Sequence, residues 1–258
     1  MRFSRILSSL CPALLALAAV TGCVSSEPKP TRESEQEAAL VNAQLAVTYL
    51  QQNNLQAAQE KIEKALKQDP KTARTQMAAG FVYDRLGEDQ KAGSHFAEAL
   101  RYEPKNPDVL NNYAVFLCRK GDRRQGEQYF IAAAASPLYR TPEAAYTNAG
   151  RCALADGRPK DAEGYFRKAL TYRRDLADPL LPLAQIYLED GNYLQARAFV
   201  QRYMSVTQPN AASLWLAYRI EAAAGNPQQA EVYARRLKTE FATSEETRQL
   251  IESERGGS

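Results

Sequence analysis

The stretch ARTQMAAGFVYDRLGEDQKAGSHFAEALRYEPKN, residues 73–106, decides the fold. Gln76, Ala79, Gly80 and Tyr83 precede Gly87 at helical spacing, Ala92 and Phe96 follow it, and Pro104 closes the unit. Two antiparallel helices joined by a short turn satisfy this pattern. A small residue on each helix lets the backbones approach closely, and Phe96, one turn after Ala92, fills the space beside the crossing. Gly87 supplies the left-handed conformation that ends the first helix.

Outward from Gly87 the arrangement recurs. Gly121, Gly157, Gly191 and Gly225 follow at spacings of 34, 36, 34 and 34 residues. Seven residues before these turns stand Gly80, Ala114, Gly150 and Ala184. Five after them come Ala92, Gly126, Ala162, Ala196 and Ala230, and four further on Phe96, Phe130, Phe166, Val200 and Ala234. A sixth unit precedes these, with Ala46, Tyr49, Ala58, Ile62, Ala65 and Pro70 in the same slots and Asn53 in place of the glycine.

A period of 34 with this residue pattern resembles the tetratricopeptide repeat. The fold class expected is therefore all-α, a tetratricopeptide α-solenoid of six helix-pair repeats with a C-terminal capping helix. The repeats span 37–242, at about 39–72, 73–106, 107–142, 143–176, 177–210 and 211–242, and residues 243–258 form the capping helix and tail. Asn106-Pro107, Thr141-Pro142, Asp178-Pro179 and Asn226-Pro227 each place a capping side chain before a proline at the first helical position. Two extra residues around Ser136-Pro137-Leu138-Tyr139-Arg140 are expected to kink the superhelix between repeats three and four. The sixth repeat departs from the pattern, with Tyr218 at a small slot and Ala234 at the bulky one, as suits a terminal unit.

Ahead of the repeats, Arg2 and Arg5 lead into a short apolar run that ends Leu17-Ala18-Ala19-Val20-Thr21-Gly22-Cys23. A basic start, an apolar middle and small residues before the processing point describe a secretory signal over residues 1–22. Its Val-Thr-Gly-Cys ending resembles the bacterial lipobox, which implies an acylated Cys23 as the mature N-terminus. The alternative, an uncleaved anchor, is disfavoured because the run from Ile6 to Val20 is broken by Ser8 and Ser9 and falls short of the roughly 20 residues a span needs. Several acyl chains anchor a protein stably where one does not. Val24 and Ser25, with no Asp, resemble the pattern exported to the outer membrane. Residues 24–36, rich in Ser, Pro and charge, read as a flexible tether.

The formal charge of +3 falls to about +1 once Arg2 and Arg5 are removed with the signal. Charges of both signs are interspersed, with no basic tract to gather nucleic acid, and none is expected as a partner. No cofactor or metal is expected either. The only histidine, His95, lies beside Phe96 with no Cys or acid at ligand spacing, and a lone His makes neither a zinc site nor a triad. The glycines come one per repeat, not as a phosphate loop. Catalysis is not expected.

Of four cysteines, Cys11 leaves with the signal and Cys23 carries lipid. Cys118 and Cys152 remain, on the first helices of repeats three and four, which are neighbours in a solenoid. They are either two separate small core residues or a disulfide, and export favours the disulfide. Closing a loop of this length contributes about 3 to 4 kcal/mol on the chain-entropy model.

In tetratricopeptide domains slots two, five, nine, twelve and thirteen of the first helices line the concave groove. Here they hold Leu40, Ala43, Val47 and Leu50, then Arg74, Met77, Phe81, Asp84 and Arg85. Later repeats are more polar, with Asp108, Asn111, Arg119, Thr147, Arg151, Gln185 and Glu189. An apolar groove of Leu40, Val47, Leu50, Met77 and Phe81, flanked by Arg74 and Arg85, is thus expected at the lipid-proximal end, suited to an amphipathic helix or strand. The alternative is that residues 31–39 fold back and cover it. Trp215 is a second anchor or a contact for the capping helix.

Lipobox, tether and six repeats together resemble the type IV pilus biogenesis lipoproteins of the PilF/PilW group, and Asn111-Asn112-Tyr113-Ala114-Val115-Phe116-Leu117-Cys118 followed by Gly121 looks particularly like that group. The resemblance implies a pilotin. It would face the periplasm from the outer membrane as a monomer, and would bring the secretin subunit there to multimerise. Periodicity alone implies only a protein-binding scaffold, such as one for cell-wall enzymes.

Overall fold

The computed structural model describes residues 31–256, and among them every regular element is a helix. Six antiparallel pairs follow one another: α1 (Arg32–Gln51) with α2 (Leu55–Gln68), α3 (Ala73–Arg85) with α4 (Asp89–Tyr102), α5 (Pro107–Lys120) with α6 (Arg123–Ala134), α7 (Pro142–Ala155) with α8 (Pro159–Tyr172), α9 (Leu180–Glu189) with α10 (Tyr193–Val206), and α11 (Ala211–Ala223) with α12 (Pro227–Glu240). A last helix, α13 (Glu245–Gly256), packs on α11 and α12 with Leu250 and Thr247 buried. The expected array of six helix pairs and a cap is observed.

The five turn glycines all have φ between 69° and 100°, and Asn53 takes their place with φ 57°. A side chain at such φ is strained, which is why the repeat marks these turns with Gly and once with Asn.

Inside each pair the small and large slots are complementary. Gly80 faces Phe96 and Gly150 faces Phe166, so closely that a Cβ would lie 2.8 Å and 2.5 Å from the respective ring. Repeat three has Ala114 opposite Phe130 and moves the glycine to the second helix, where a Cβ on Gly126 would meet the Ala114 carbonyl oxygen at 3.0 Å. Repeats one and five keep alanine, at Ala46 and Ala184, and reduce the bulky slot to Ile62 and Val200. Repeat six inverts the pair: Tyr218 and Ala234 belong to one core cluster, the bulk having moved from the second helix to the first. The degenerate repeat is therefore a volume-conserving exchange, the kind of change cores tolerate best.

Helix starts follow the capping chemistry only in part. Thr31, Asn54, Thr72 and Asn106 accept backbone N–H bonds as N-caps, and Asn210 with Ser213 forms a reciprocal capping box. Thr141 and Asn226 stand at N-cap positions without accepting such a bond. Asp178 is not a cap at all: α9 begins two residues later with Pro179 as its N-cap residue, and Asp178 instead accepts a 3.1 Å bond from Arg151.

One expectation requires correction. Residues 32–36, read as part of the tether, are the first turns of α1. Thr31 Oγ1 accepts from the Ser34 amide, the Ser34 hydroxyl donates to the Thr31 carbonyl, and Glu33 and Glu35 complement the positive end of the helix. The signal, Cys23 and the rest of the tether lie outside the described residues. A break in first-helix stacking falls at the junction between repeats four and five. The long loop 135–141 is present, yet repeats three and four stay joined through α6–α7 and α5–α7 packing. It is α7 and α9 that have no Cα pair within 8 Å, whereas first helices meet at every other junction. The proline that opens repeats three and four at their first turn sits later in repeat five, at Pro179. The residue before a proline is held out of the helical region, so α9 starts late and has only 10 residues.

Ion pairs and hydrogen bonds staple successive repeats. Arg119 pairs with Asp84, Arg158 with Glu127, and Tyr187 donates to Glu163 across the α8–α9 junction. Between repeats five and six Arg197 grips Glu221 with two bonds of 2.6 Å, and Asn226 Nδ2 adds a third at 3.0 Å.

Candidate functional site

Cys118 on α5 and Cys152 on α7 are joined by a disulfide, with Cα atoms 5.7 Å apart. Of the two readings of these cysteines, the bonded one is observed. The bond crosses the junction between repeats three and four, in a cluster otherwise built largely of alanines such as Ala114, Ala145 and Ala149.

His95 is a packed helix residue. Its ring is stacked on Tyr83 at 5.2 Å and its Nδ1 lies 2.6 Å from Gln76 Oε1. Burial holds its pKa below the ordinary histidine value. Among the described residues no three His, Cys, Asp or Glu side chains are grouped to hold a metal ion, and no helix is long and apolar enough to cross a membrane.

The residues expected to form the N-terminal groove are brought together, with one exception in character. Val47, Met77 and Phe81 are half-buried and pack on a single cluster that contains Ile62, Val82 and Phe96. Phe81 stands edge-on to Phe96 at 5.4 Å, and Met77 Sδ accepts a 3.4 Å contact from Asn112 Nδ2. Leu40 is half-buried further along α1, and Arg74 is exposed. Leu50 belongs to the core instead of the groove surface: it is 7% exposed, enclosed with Ile62 and Tyr83 at the inner end of α1. Arg85 is tied to Asn53 Oδ1 at 3.2 Å. Residues 31–39 do not fold back over these side chains; from Arg32 they continue α1.

A second apolar feature lies on another face of α1, and the slot analysis missed it. Slots three, seven and ten of each first helix face the preceding repeat. In repeat two they are Thr75, Ala79 and Val82, all buried, and in repeat four Ala145, Ala149 and Cys152, all buried. Repeat one has Val41 at 55% exposure and Leu45 at 36%, because no repeat precedes it among the described residues. The signal was legible as Val and Leu at i, i+4 on the outermost helix.

At the other end Trp215 is half-buried, stacks on Tyr218 at 5.3 Å, and lines a cavity between α9, α11 and α13. It touches the region of the capping helix without being covered by it.

Residues 44–108 and 117–179 match one tetratricopeptide repeat family, and residues 153–219 match a second. The chain is similar to the type IV pilus assembly protein PilF of Pseudomonas aeruginosa, with 30% identity over 231 residues, 88% of this chain and 92% of that protein. An uncharacterised protein of Haemophilus influenzae is 32% identical over 135 residues, 52% of this chain and 74% of that one. Among solved structures, that of PilW, a widely conserved type IV pilus biogenesis factor, superposes with a TM-score of 0.74 at 31% identity, over 83% of this chain and 98% of that one. The structure of Pseudomonas aeruginosa PilF gives 0.73 at 27% identity, over 85% and 99%.

Proposed function

The chain belongs to the tetratricopeptide family of type IV pilus biogenesis proteins, and from that premise we propose that it is a pilotin: an outer-membrane lipoprotein, acylated at Cys23, that binds the pilus secretin and promotes its multimerisation in that membrane. Proteins of this family act through protein–protein contacts. The observation that best supports a docking role for the first two repeats is that half-buried Val47, Met77 and Phe81 line the groove slots while the outermost helix also exposes Val41 and Leu45. Apolar surface of this kind, on a chain otherwise rich in charge, marks an interaction site. Helix-in-groove recognition uses such i, i+4 apolar anchors.

The lipid supplies direction and the groove supplies cargo. Holding both partners at one membrane surface raises their effective concentration, so that a modest groove affinity suffices.

Two strains test the reading. In Cys23→Ser, fractionation into inner and outer membranes is expected to show secretin multimers lost from the outer membrane or collected in the inner one. In a strain carrying Val41→Asp and Val47→Asp, with helicity of the purified protein unchanged, multimers are expected to fall although the lipoprotein itself is correctly placed. Normal secretin rings in both strains would overturn the proposal. Co-purification of peptidoglycan enzymes in place of the secretin would then favour a cell-wall scaffold.

A further inference from the structure

Five glycines sit inside the helices of the repeats, and four of them answer to a neighbour. A Cβ on Gly80 or Gly150 would strike a phenylalanine ring, on Gly126 it would meet the Ala114 carbonyl oxygen, and on Gly93 it would press on the Phe116 ring at 3.3 Å. Gly164, on the exposed side of α8, is different: a Cβ there would meet nothing within 4 Å. Glycine in an exposed helix interior destabilises it relative to alanine. The fold therefore gives no reason for this residue, and every other repeat has a side chain in that slot: Glu60, Ser94, Gln128, Ala198 and Val232.

Gly164 lies in a cavity of about 480 Å³, within the range of small-ligand sites and off the groove that the first helices line. Lys160, Gly164 and Lys168 follow one another at four-residue steps along α8, so each lysine stem starts one helical turn from the bare backbone between them. Tyr146 of α7, Tyr165 and Asp161 complete the lining. Both tyrosines are held in place. Tyr146 stacks on Tyr172 at 5.7 Å, and Tyr165 packs against the clusters that contain Phe130 and Phe166.

Lys160 and Lys168 are exposed and enter no ion pair among the described residues; the Lys168 ammonium lies over the Tyr172 ring at 5.8 Å. Asp161 is the one carboxylate in the lining, and it is held by Arg158, on which Glu127 and Asp156 also converge. Glu163, next to Gly164 in the chain, is bound by Arg167 and by Tyr187 of α9. Two lysines thus face one carboxylate that already holds an arginine, and the cavity favours an anion. None of the lining residues is aliphatic, so an apolar peptide anchor finds no floor here. A sugar ring does: its C–H face suits the electron-rich face of a tyrosine, its hydroxyls meet phenol groups, and the missing side chain at Gly164 lets it approach the helix closely.

We propose that this cavity is a saccharide site, in which a ring of a carboxylated glycan lies over Gly164 against Tyr146 and Tyr165 while its carboxylates pair with Lys160 and Lys168. Because the site is built on a second helix, it leaves the groove of the first helices free. The solenoid then grips an acidic polysaccharide and a protein partner at the same time.

Calorimetry on the full-length protein tests this, with three probes: oligomers of glucuronic acid, N-acetylglucosamine oligomers of equal length, and a glutamate hexapeptide. Saturable binding of the glucuronic acid oligomers alone is expected. Lys160→Gln with Lys168→Gln, both at exposed positions, is expected to weaken it at least tenfold. Gly164→Gln is expected to abolish it by filling the notch, while the melting temperature holds or rises, since glutamine is the better helix former and its Cβ meets nothing. A glycine kept for the fold would lose stability instead. The proposal is overturned if the acidic oligomers do not bind, if the neutral oligomers or the glutamate peptide bind equally well, or if Gly164→Gln binds like the parent. Failure here leaves the secretin reading standing, since that is read from secretin multimers.

Discussion

A Cβ built on Gly150 would stand 2.5 Å from Cε1 of Phe166, a ring with no solvent exposure. The ring has no free space to retreat into, because Phe166 is enclosed by the same core that holds Ala153 and Ala162. Gly150→Ala is therefore expected to destabilise the protein by about 1 to 3 kcal/mol despite the better helix propensity of alanine. Urea denaturation checks this, and Gly150→Ala combined with Phe166→Leu should recover part of the loss. A stabilised single variant would refute the close approach.

Repeat six offers the converse experiment. If Tyr218 and Ala234 share one volume, Ala234→Phe alone overpacks the repeat and Tyr218→Ala alone leaves a cavity, each costing about 1 to 4 kcal/mol. The double variant restores the arrangement of repeats two to four. It is expected to be more stable than the sum of the single losses by at least about 1 kcal/mol, read from a double-mutant cycle of denaturation midpoints. Simple additivity would show the two positions to be independent.

The Cys118–Cys152 bond closes a loop with a sequence separation of 34. Reduction, or Cys118→Ser with Cys152→Ser, is expected to lower stability by about 3 to 4 kcal/mol on the chain-entropy model. The loss should concentrate in repeats three and four, whose junction rests on alanines. Hydrogen exchange with and without reductant checks both the size and the place. Uniformly faster exchange along the chain would show that the bond does not act locally.

Glu221 is 2% exposed, and the guanidinium of Arg197 holds its carboxyl below the usual carboxylate range. A carboxyl whose pKa is lower in the folded than in the unfolded state adds stability that is fully present above the unfolded value. That stability is lost as pH falls through the folded value. Melting temperature is expected to decline as the solution is taken below the ordinary glutamate range, and Glu221→Gln should flatten that part of the profile. Glu221→Ala, which removes three hydrogen bonds but leaves Arg197 open to solvent, is expected to cost about 1 to 3 kcal/mol at neutral pH. An unchanged acid limb in Glu221→Gln would remove Glu221 from the cause.

Repeats five and six lack first-helix stacking on repeat four, and what spans the α8–α9 junction includes the Tyr187–Glu163 bond with Arg167 at 2.8 Å from the same carboxylate. In a solenoid, stability is a sum of repeat and interface terms. Tyr187→Phe is therefore expected to split the unfolding transition, with repeats five and six opening first in hydrogen exchange. A single transition at a lower midpoint would show that the apolar contacts alone couple the two parts.

The glycine at each turn, the small and bulky slots and the capping residues are each local demands on the chain, and they could be read without coordinates. A left-handed residue, a close backbone approach and an N-cap each restrict the residue type at one position, so a repeat written six times over is nearly unambiguous. The same register set Cys118 and Cys152 on consecutive first helices and left their pairing open; export favoured the disulfide, and the structure shows it. The displaced Pro179 was visible in the chain as well. Its consequence was not, because whether a late helix start breaks stacking depends on where the previous repeat lies.

What the chain determined by itself is the periodic part: six helix pairs, their register, and the face each slot presents. Only the tertiary structure decided which of those faces are covered. Leu50 and Met77 occupy groove slots alike, yet one is enclosed and the other half-open; Val41 sits in a slot that is buried in repeat two and exposed in repeat one. Glu246 and Trp215, 31 residues apart, meet at one cavity only because α13 turns back against α11. Periodicity is set by interactions within a helix pair, a few residues apart. Burial at the ends of an array is set by what does or does not stack there, and that depends on the whole chain in space.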